Sequence, residues 1–150
     1  MNADWRPDDS FLERGYERVK KALADHKVSY DDRIVTSVDE GVAEVQESLK
    51  RPDTPGNIRQ WQVPIAFGDE GEILCFRSEM DPGARVAEHA HSHVVYRIVL
   101  KGSLIFNGKV LKAGDWMVVP AGMRYALQAG EDGCSTQYHH GKCPPFCWPF

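Results

Sequence analysis

The residues with the clearest chemical potential are three alternating histidines in the segment His89-Ala90-His91-Ser92-His93. In a strand, alternate side chains face the same way, and residues two apart are separated by roughly 6.6–6.8 Å. Two imidazole rings can lean across that gap and bind one metal ion at about 2.0–2.1 Å each. Three rings spread over about 13 Å need a bend in the strand. The spacing predicts two metal ligands and a third histidine in the pocket wall. A solvated histidine cluster on an edge strand is the alternative interpretation.

Two segments framed by glycines surround these histidines. Residues 83–91 contain glycine, five residues and His-x-His, and this segment closes on Gly102. Residues 114–122 contain glycine, five residues, proline, any residue and glycine. The two segments resemble the two motifs of the cupin superfamily, and the resemblance covers roughly the last two thirds of the chain. It implies a jelly-roll β-barrel that binds a divalent metal through His89 and His91.

The sequence departs from the cupin motifs at two ligand positions. The acidic ligand of the family falls at Val95 or Tyr96, and its last histidine falls at Tyr125. Only His89 and His91 carry over directly from the family. Two protein ligands are too few for a catalytic zinc-type or iron-type site, so a further ligand is expected.

Several residues are candidates for that further ligand. Tyr125 can bind as phenolate if the metal lowers its pKa from an ordinary value of about 10. His139 or His140 can reach in from the last predicted strand. Glu79 can supply a carboxylate. It lies on the same face as Arg77 near the end of the strand before the first motif, and in cupins that face is often directed into the pocket. A degenerate site with Tyr125 as barrel wall is the remaining interpretation.

Arg97 is a candidate for substrate binding. It stands in an otherwise apolar predicted strand, residues 94–100, with the parity of the histidine pair. A charge there is costly unless it is paired or exposed. Arg97 is therefore predicted to bind a substrate carboxylate, and an outward-facing or salt-bridged arginine is the alternative.

The resemblance and the ligand set together predict a metal-dependent enzyme that acts on a small, oxygen-rich or anionic molecule. Neutral histidine and tyrosine ligands leave more positive charge at the metal than a set with glutamate, which favours a chelating enolate, diketone or hydroxy acid. A dioxygenase-type oxidoreductase with Fe(II) is favoured, and zinc, nickel and manganese are alternative ions. A cupin lyase or isomerase with Tyr125 as acid or base, and a non-catalytic binding or sensing cupin, are the other hypotheses.

The elements that position these residues follow from hydrophobic periodicity. Residues 1–53 predict two amphipathic helices that pack on the barrel or on a second subunit, with capping boxes at Ser10 and Ser37. Residues 54–141 contain short β-rich runs between turn signals, which predict an all-β sandwich or barrel, and the cupin resemblance implies that it is a jelly-roll barrel. Residues 142–150 are rich in proline and aromatic residues and predict a strap over the barrel or a dimer contact. The predicted strands are 58–67, 73–80, 94–100, 103–106, 116–119, 125–128 and 135–140, with turns at 68–71, 107–108 and 130–133.

Composition narrows the class of protein. The 150 residues suit one domain, and a net charge of −4 without a basic patch predicts no nucleic-acid partner. The apolar runs are too short to cross a bilayer, and the amino terminus lacks the features of a signal peptide, so a cytoplasmic protein is expected. A small-molecule substrate and a homodimer are also expected, since amphipathic helices and an aromatic tail offer apolar surface.

The four cysteines are expected to be reduced, because disulfides are rare in the cytoplasm. At least some of them should be buried as small hydrophobic residues. Cysteines in the tail also have a spacing suited to a structural zinc site, which is the alternative interpretation. The cysteines are Cys75, Cys134, Cys143 and Cys147.

Overall fold

The computed structural model describes residues 4–7, 9–29, 33–65 and 73–141. These residues form a short 3-10 turn, two helices and seven strands. The elements are the 3-10 turn Asp9–Phe11, α1 Gly15–Asp25, α2 Val42–Ser48, β1 Ile58–Gln62, β2 Ile73–Met80, β3 Arg85–His89, β4 Val94–Phe106, β5 Lys109–Lys112, β6 Trp116–Val119 and β7 Tyr125–Gly141. No helix in these ranges is both long and apolar enough to cross a membrane.

The strands pair antiparallel in one sheet that folds on itself as the predicted jelly-roll barrel. The main path of the sheet is β1-β2-β7-β4-β5, with β3 paired to β7 and β6 paired to β4. One end of β7 pairs with β3, and the other end runs between β2 and β4. β7 is therefore the strand that joins the two halves of the barrel.

The barrel core is built from inward-facing residues of successive strands. Phe76, Val95, Val99 and Leu104 are each at most 1% exposed. Along β4 the buried residues alternate with partly exposed ones over Val94–Val99, as expected for a strand with one buried face. Burying each such side chain contributes about 1.5–3 kcal/mol, so this core holds the strands that carry the candidate site.

The two helices share a second, smaller core. Val19 and Leu23 of α1 pack with Val42, Val45 and Leu49 at α2. The helices join the barrel through Gln62, whose side chain donates to the Gly15 carbonyl at 2.9 Å and accepts from Arg18 at 2.9 Å. The buried positions of both predicted apolar stripes are thus largely confirmed, with the exceptions of Tyr16, which is half-buried, and Val38, which is exposed.

Both predicted capping boxes are wrong. α1 begins at Gly15 after Arg14, which has a φ of 58°, and α2 begins after Gly41, which has a φ of 83°. Neither helix start is capped by a side chain. Ser10 lies in the 3-10 turn, and Ser37 lies several residues before α2. The chain therefore enters each helix from a left-handed residue.

Two predicted breaks in the sheet are wrong. Residues 94–100 and 103–106 belong to one strand, β4, and residues 130–133 lie inside β7. The pairing of β4 with β7 shifts register between Val99 and Lys101 and again between Gly102 and Leu104. The glycines here form bulges that keep the strands paired instead of ending them. The predicted strand 58–67 is too long, because β1 ends at Gln62 and residues 63–65 are not strand. Residues 66–67 and the predicted turn at 68–71 lie outside the described residues.

Other sequence predictions are confirmed. β2 and β6 have the predicted bounds, and Asn107 and Gly108 form a hairpin turn with φ values of 50° and 75°. The glycines of the two motifs, Gly102, Gly114 and Gly122, have positive φ, a conformation that glycine adopts without steric cost. Cys75 and Cys134 are buried free thiols, whereas Cys143 and Cys147 lie outside the described residues.

Gly102 is a position where the backbone of the neighbouring strand leaves no room for a side chain. Its φ is 73°, and a Cβ atom built on it would overlap the carbonyl oxygen of Gly133. We expect Gly102→Ala to lower the free energy of unfolding by about 3 kcal/mol or more, since backbone strain and a steric clash add. Gly108→Ala is the matched control, because Gly108 has a φ of 75° with nothing within 4 Å, and it should cost about 1–2 kcal/mol. Equal losses in urea denaturation would contradict this explanation.

Candidate functional site

The barrel encloses a small cavity next to the histidine motif. Its volume is about 20 Å³, which is room for roughly one water molecule or ion. Polar groups and apolar barrel residues both line it. The titratable residues in its wall are His89, His91, His140, Arg97, Arg51 and Tyr138.

His89 is placed by an irregularity in β3. The pairing of β3 with β7 shifts register between Val86 and His89, so His89 faces Tyr125 across the strands. Such a bulge redirects the side chains that follow it. His89 is buried, and its Nδ1 donates to the Ala87 carbonyl at 2.7 Å. Burial lowers the pKa of His89 to about 4, so the ring is neutral and its Nε2 carries a free lone pair.

His91 is held by residues from two distant parts of the chain. Its carbonyl accepts from the Gly122 N–H at 2.7 Å, which ties the two glycine-framed motifs together. Its Nδ1 lies 2.8 Å from Oδ1 of Asp9. Burial lowers the pKa of His91, although the hydrogen bond to Asp9 acts in the opposite direction. A neutral ring whose Nδ1 donates to a carboxylate also leaves Nε2 free for a ligand.

Asp9 is ionised at neutral pH. Partial burial raises its pKa, but hydrogen bonds from His91 and Ser92 outweigh this effect and bring the pKa down to about 2. Its Oδ2 accepts from the Ser92 N–H at 2.9 Å and from the Ser92 hydroxyl at 2.8 Å. Asp9 therefore acts only as an acceptor, and the proton in its bond to His91 belongs to the imidazole.

His140 reaches the same cavity from β7. Its ring centre lies 4.6 Å from that of His91, and the ring centre of His91 lies 4.9 Å from that of His89. Burial holds the pKa of His140 well below its ordinary value. Its Nδ1 is buried and has no hydrogen-bond partner among the described residues. The sequence offered His139 and His140 as ligand candidates from the last predicted strand, and His140 is the one that faces the pocket.

These three rings suit a divalent metal in chemistry and spacing. Imidazoles that share a metal at about 2.1 Å have ring centres roughly 4.5–5.2 Å apart, which matches the observed separations. The unpartnered Nδ1 of His140 also calls for a ligand. The ring planes cross at 77–79°, and in the described part of the chain no three His, Cys, Asp or Glu side chains already converge on one metal position. Ring rotation would be needed to complete the coordination.

Arg97 is the buried cation of the cavity. It is 6% exposed, its Nη1 donates to the Thr136 hydroxyl at 2.7 Å, and its guanidinium lies 4.1 Å from the ring centre of Tyr138. Its Nε has no hydrogen-bond partner in the described ranges. Within those ranges no acidic side chain forms an ion pair with it. A buried charge without a counter-ion is costly, so this cavity favours an anion.

Tyr125 lies beside His89, with ring centres 4.4 Å apart. It is 4% exposed, and its hydroxyl is buried without a partner among the described residues. Burial raises the pKa of Tyr125, and the nearby Arg97 charge lowers it by less. The phenol is therefore protonated at neutral pH. It packs behind His89 and is not among the residues that line the cavity.

Three residues predicted as site candidates lie away from the cavity. His93 is half-buried, and its Nε2 lies 3.4 Å from the Ser92 hydroxyl. Glu79 lies 3.7 Å from Arg59. The expectation that Glu79 faces the pocket is wrong. The residues of β2 that line the cavity are on the other face of the strand and are Phe76, Ser78 and Met80. His139 also faces away from the cavity and lies 3.9 Å from the Cys75 thiol.

The sequence matches a known protein family. The profile of the ChrR cupin-like domain family matches residues 60–144, which is more than half of the chain. This chain belongs to the ChrR cupin-like family. The cupin resemblance of the two glycine-framed motifs is thereby confirmed. No curated protein sequence matches this cupin.

Solved structures show the same fold. An RmlC-like cupin from Shewanella frigidimarina is 22% identical, with a TM-score of 0.51 over 64% of this cupin and 86% of that chain. KdgF from a Halomonas species is 19% identical, with a TM-score of 0.51 over 65% of this cupin and 89% of that chain. At these identities the likeness establishes the fold and does not extend to activity.

A further similar structure is Rhodobacter sphaeroides SigE in complex with the anti-sigma ChrR. It is 18% identical to this cupin, with a TM-score of 0.48, and the match covers 79% of this cupin and 55% of that chain.

Sequence analysis missed Asp9 as a site residue. Asp9 is 82 residues from His91 in the chain and stands in a segment that reads only as a helix start. Thr136, the partner of Arg97, was also missed, because it lies in the predicted last strand without a distinguishing pattern. The first cupin motif of this sequence lacks its acidic ligand, which suggests that a carboxylate from elsewhere could serve the site. Because several acidic residues precede the barrel, this pattern does not identify Asp9.

The isolation of Arg97 predicts an unusual mutational effect. We expect Arg97→Met to change the free energy of unfolding by less than about 1 kcal/mol, or to increase it, because the substitution removes an uncompensated buried charge. Arg51→Met is the matched control, since Arg51 is 5% exposed but bonds to Asp53 at 2.6 Å, and it should destabilise by about 1–2 kcal/mol. Chemical denaturation measures both. A loss of about 3 kcal/mol in Arg97→Met would instead indicate a structural role.

Proposed function

We propose that this cupin is a metal-dependent enzyme that acts on a small, anionic, oxygen-rich molecule. Dioxygenase-type oxidation is the reaction class we favour. The observation that carries the proposal is one cavity lined by three neutral histidines and by a buried arginine without an acidic partner in the described ranges. Neutral imidazoles suit a divalent cation, and the arginine suits an anion. The wall of the cavity thus offers separate partners for a metal and for a charged substrate.

His89, His91 and His140 are the proposed metal ligands. Burial keeps all three rings neutral, and a neutral ring is the form that binds metal. The Nδ1 hydrogen bonds of His89 and His91 fix which nitrogen remains free. Fe(II), the ion we favour over zinc, nickel and manganese, would supply Lewis acidity and electron transfer with dioxygen.

Arg97 is the proposed substrate-binding residue. A carboxylate or enolate oxygen can accept from its free Nε and so compensate the buried charge. Arg97 and the histidines line the same cavity. A short chelating anion held by both would be fixed at two points, which favours one orientation of the reacting group. Enolates, diketones and hydroxy acids have this chemistry.

Tyr125 supports a nearby alternative, cupin lyase or isomerase chemistry. Because burial raises its pKa, the phenol suits proton donation more than proton abstraction, and it does not suit binding as phenolate. The ring centres of Tyr125 and His89 lie 4.4 Å apart. The phenol can therefore act on a group held at the metal only if that group extends toward β7. Proton donation by Tyr125 is therefore our second proposal for the reaction.

A binding or sensing cupin is the candidate from a different class. The small volume of the cavity favours it, because about 20 Å³ is room for roughly one ion or water molecule. An enzyme with this fold must open before substrate enters. Measured turnover of a small organic anion therefore distinguishes an enzyme from a binding or sensing cupin.

The proposed ligands predict a pattern of metal loss. We expect His89→Ala, His91→Ala and His140→Ala each to lose most bound metal while keeping the fold, since each removes one of three proposed ligands. His139→Ala is the matched control from the neighbouring position of β7, and His93→Ala is a second control from the histidine motif. Metal analysis of untagged protein and thermal denaturation provide the readouts. Equal metal loss in His139→Ala or His93→Ala would refute this ligand set.

Catalysis is tested with the same variants. Protein loaded with Fe(II) should consume dioxygen with a small diketone or hydroxy acid, and Arg97→Met should raise KM about 10–100-fold, as expected for a lost charge-assisted hydrogen bond. Normal metal content without turnover of any such anion would favour the binding cupin.

We also propose that this cupin is a homodimer. An apolar strip on the outer face of the sheet contains Tyr96, Trp116 and Val118, and Trp116 is 60% exposed. Exposed apolar strips of this kind are typical of protein interfaces. Residues 142–150, for which the sequence predicts a strap or a dimer contact, lie outside the described residues.

The proposed dimer makes a prediction for Trp116. Trp116→Arg should yield a monomer at tens of micromolar protein, because a charge would be buried at the contact. Met123→Arg is the control, since Met123 is exposed but lies outside the strip. Sedimentation velocity measures the mass, and a wild-type monomer would exclude the proposed dimer.

A further inference from the structure

The N-terminal arm, residues 4–7 and 9–12, lies against β3 at the edge of the barrel. Trp5 forms a parallel bridge with Val86, and its carbonyl accepts from the Ala87 N–H at 2.8 Å. Arg6 donates to the Glu88 carbonyl at 2.9 Å. The arm is therefore docked by backbone hydrogen bonds to the strand that leads into His89.

The N-terminal arm also closes the cavity. Trp5, Pro7 and Leu12 supply part of its wall. The Arg51 guanidinium lies 5.0 Å from the ring centre of Trp5 and 4.8 Å from that of Phe11. With the arm in place the cavity is about 20 Å³, which is room for roughly one ion or water molecule. Displacement of this wall would enlarge the space in front of the histidines.

Asp9 connects the N-terminal arm to the candidate metal site. Its carboxylate bonds to His91 Nδ1 at 2.8 Å and holds the next residue through both the N–H and the hydroxyl of Ser92. A carboxylate on the second ring nitrogen fixes the orientation of a metal-binding histidine and makes it a stronger ligand. The cupin motif of this chain has no carboxylate at Val95 or Tyr96. The carboxylate that contacts His91 is instead that of Asp9 in the N-terminal arm.

We propose that Asp9 is a positioning residue for His91 and that the N-terminal arm is a gate. Displacing the arm opens the cavity and, in the same movement, takes the carboxylate away from His91. This inference rests on the proposed metal site, and it goes beyond that site because it makes metal affinity depend on a segment outside the cupin motifs.

The two functions of the N-terminal arm are thermodynamically coupled. If a docked arm strengthens metal binding by some factor, then bound metal strengthens docking of the arm by the same factor. The amide hydrogen of Ala87, which bonds to Trp5, should therefore exchange more slowly when metal is present. An organic anion that displaces the arm should reverse this protection.

The first test is metal affinity, measured by competition of Co(II) between the protein and a chelator. Asp9→Ala should weaken binding about 10–100-fold, the usual effect of removing such a partner. Asp9→Asn should weaken it less, because an amide oxygen still accepts from His91. Asp4→Ala is the matched control, since Asp4 is on the same arm but pairs with the exposed Arg85 at 3.3 Å, and its affinity should stay within about threefold of wild type.

Several results would overturn the positioning role. One is wild-type affinity in Asp9→Ala, and another is an equal loss in Asp4→Ala. If thermal denaturation shows that Asp9→Ala is unfolded, Asp9→Leu replaces it, because leucine has a similar size and no acceptor for His91. Wild-type affinity in that variant would overturn the role.

The second test is amide exchange at Ala87, which reports on the gate independently of the metal site. Asp9→Ala should accelerate this exchange about tenfold or more in metal-free protein, because the arm loses its hydrogen bonds to His91 and Ser92. Unchanged exchange would overturn the gate. If wild type bound no Co(II), the proposed metal site and the positioning role would both fail, and faster exchange in Asp9→Ala would still support a gate over the cavity.

Discussion

Hydrogen bonds join β7 to β2 along one edge and to β4 along the other, and this double ladder determines where the site residues lie. His140 pairs with Leu74 of β2 and with Val95 of β4, so its ring is fixed on the inner face of the barrel. Tyr125, at the start of the same strand, pairs with His89. A one-residue slip of β7 would turn both side chains outward, and the cavity would lose its third imidazole.

The cavity concentrates polar groups that a stability-optimised core would avoid. Arg97, three imidazoles and the Tyr125 hydroxyl are buried together, and several of their polar atoms have no partner among the described residues. Each such atom typically costs about 1–3 kcal/mol. Apolar residues around them, such as Val95 and Val99, offset this cost through burial. Conflicts of this kind with the rules of core packing are characteristic of functional sites.

Local sequence predicted the fold well where one turn signal separates one pair of strands. β2 and β6 have their predicted bounds because Asp81-Pro82-Gly83 and Pro120-Ala121-Gly122 end them sharply. The same reasoning divided β4 and β7, because a glycine within a bulge and a glycine within a turn look alike in sequence. Strand pairing, a long-range interaction, decides between the two.

The candidate site was predicted in part, for a similar reason. Arg97 follows from alternation along β4, whereas His89 and His91 follow from the His-x-His spacing and the cupin motif, since β3 ends at His89 and His91 lies beyond it. His140 was one of the alternatives from the last strand. The face of β2 on which Glu79 lies depends on how β2 pairs with its neighbouring strands, and the sequence does not reveal this pairing. Asp9 depends on the path of a segment 82 residues away from His91. Contacts across such distances follow from the assembled fold and not from local pattern.

The position of β7 after every other strand also orders events during translation. β2, β3 and β4 emerge from the ribosome before their common partner, so their edges stay unpaired until β7 is made. A nascent chain that ends before His140 offers an ion only the His-x-His pair. The candidate metal pocket would thus be completed by folding, in contrast to small zinc domains whose folding requires the metal. Any metal held by the three proposed ligands would then bind only after β7 has paired.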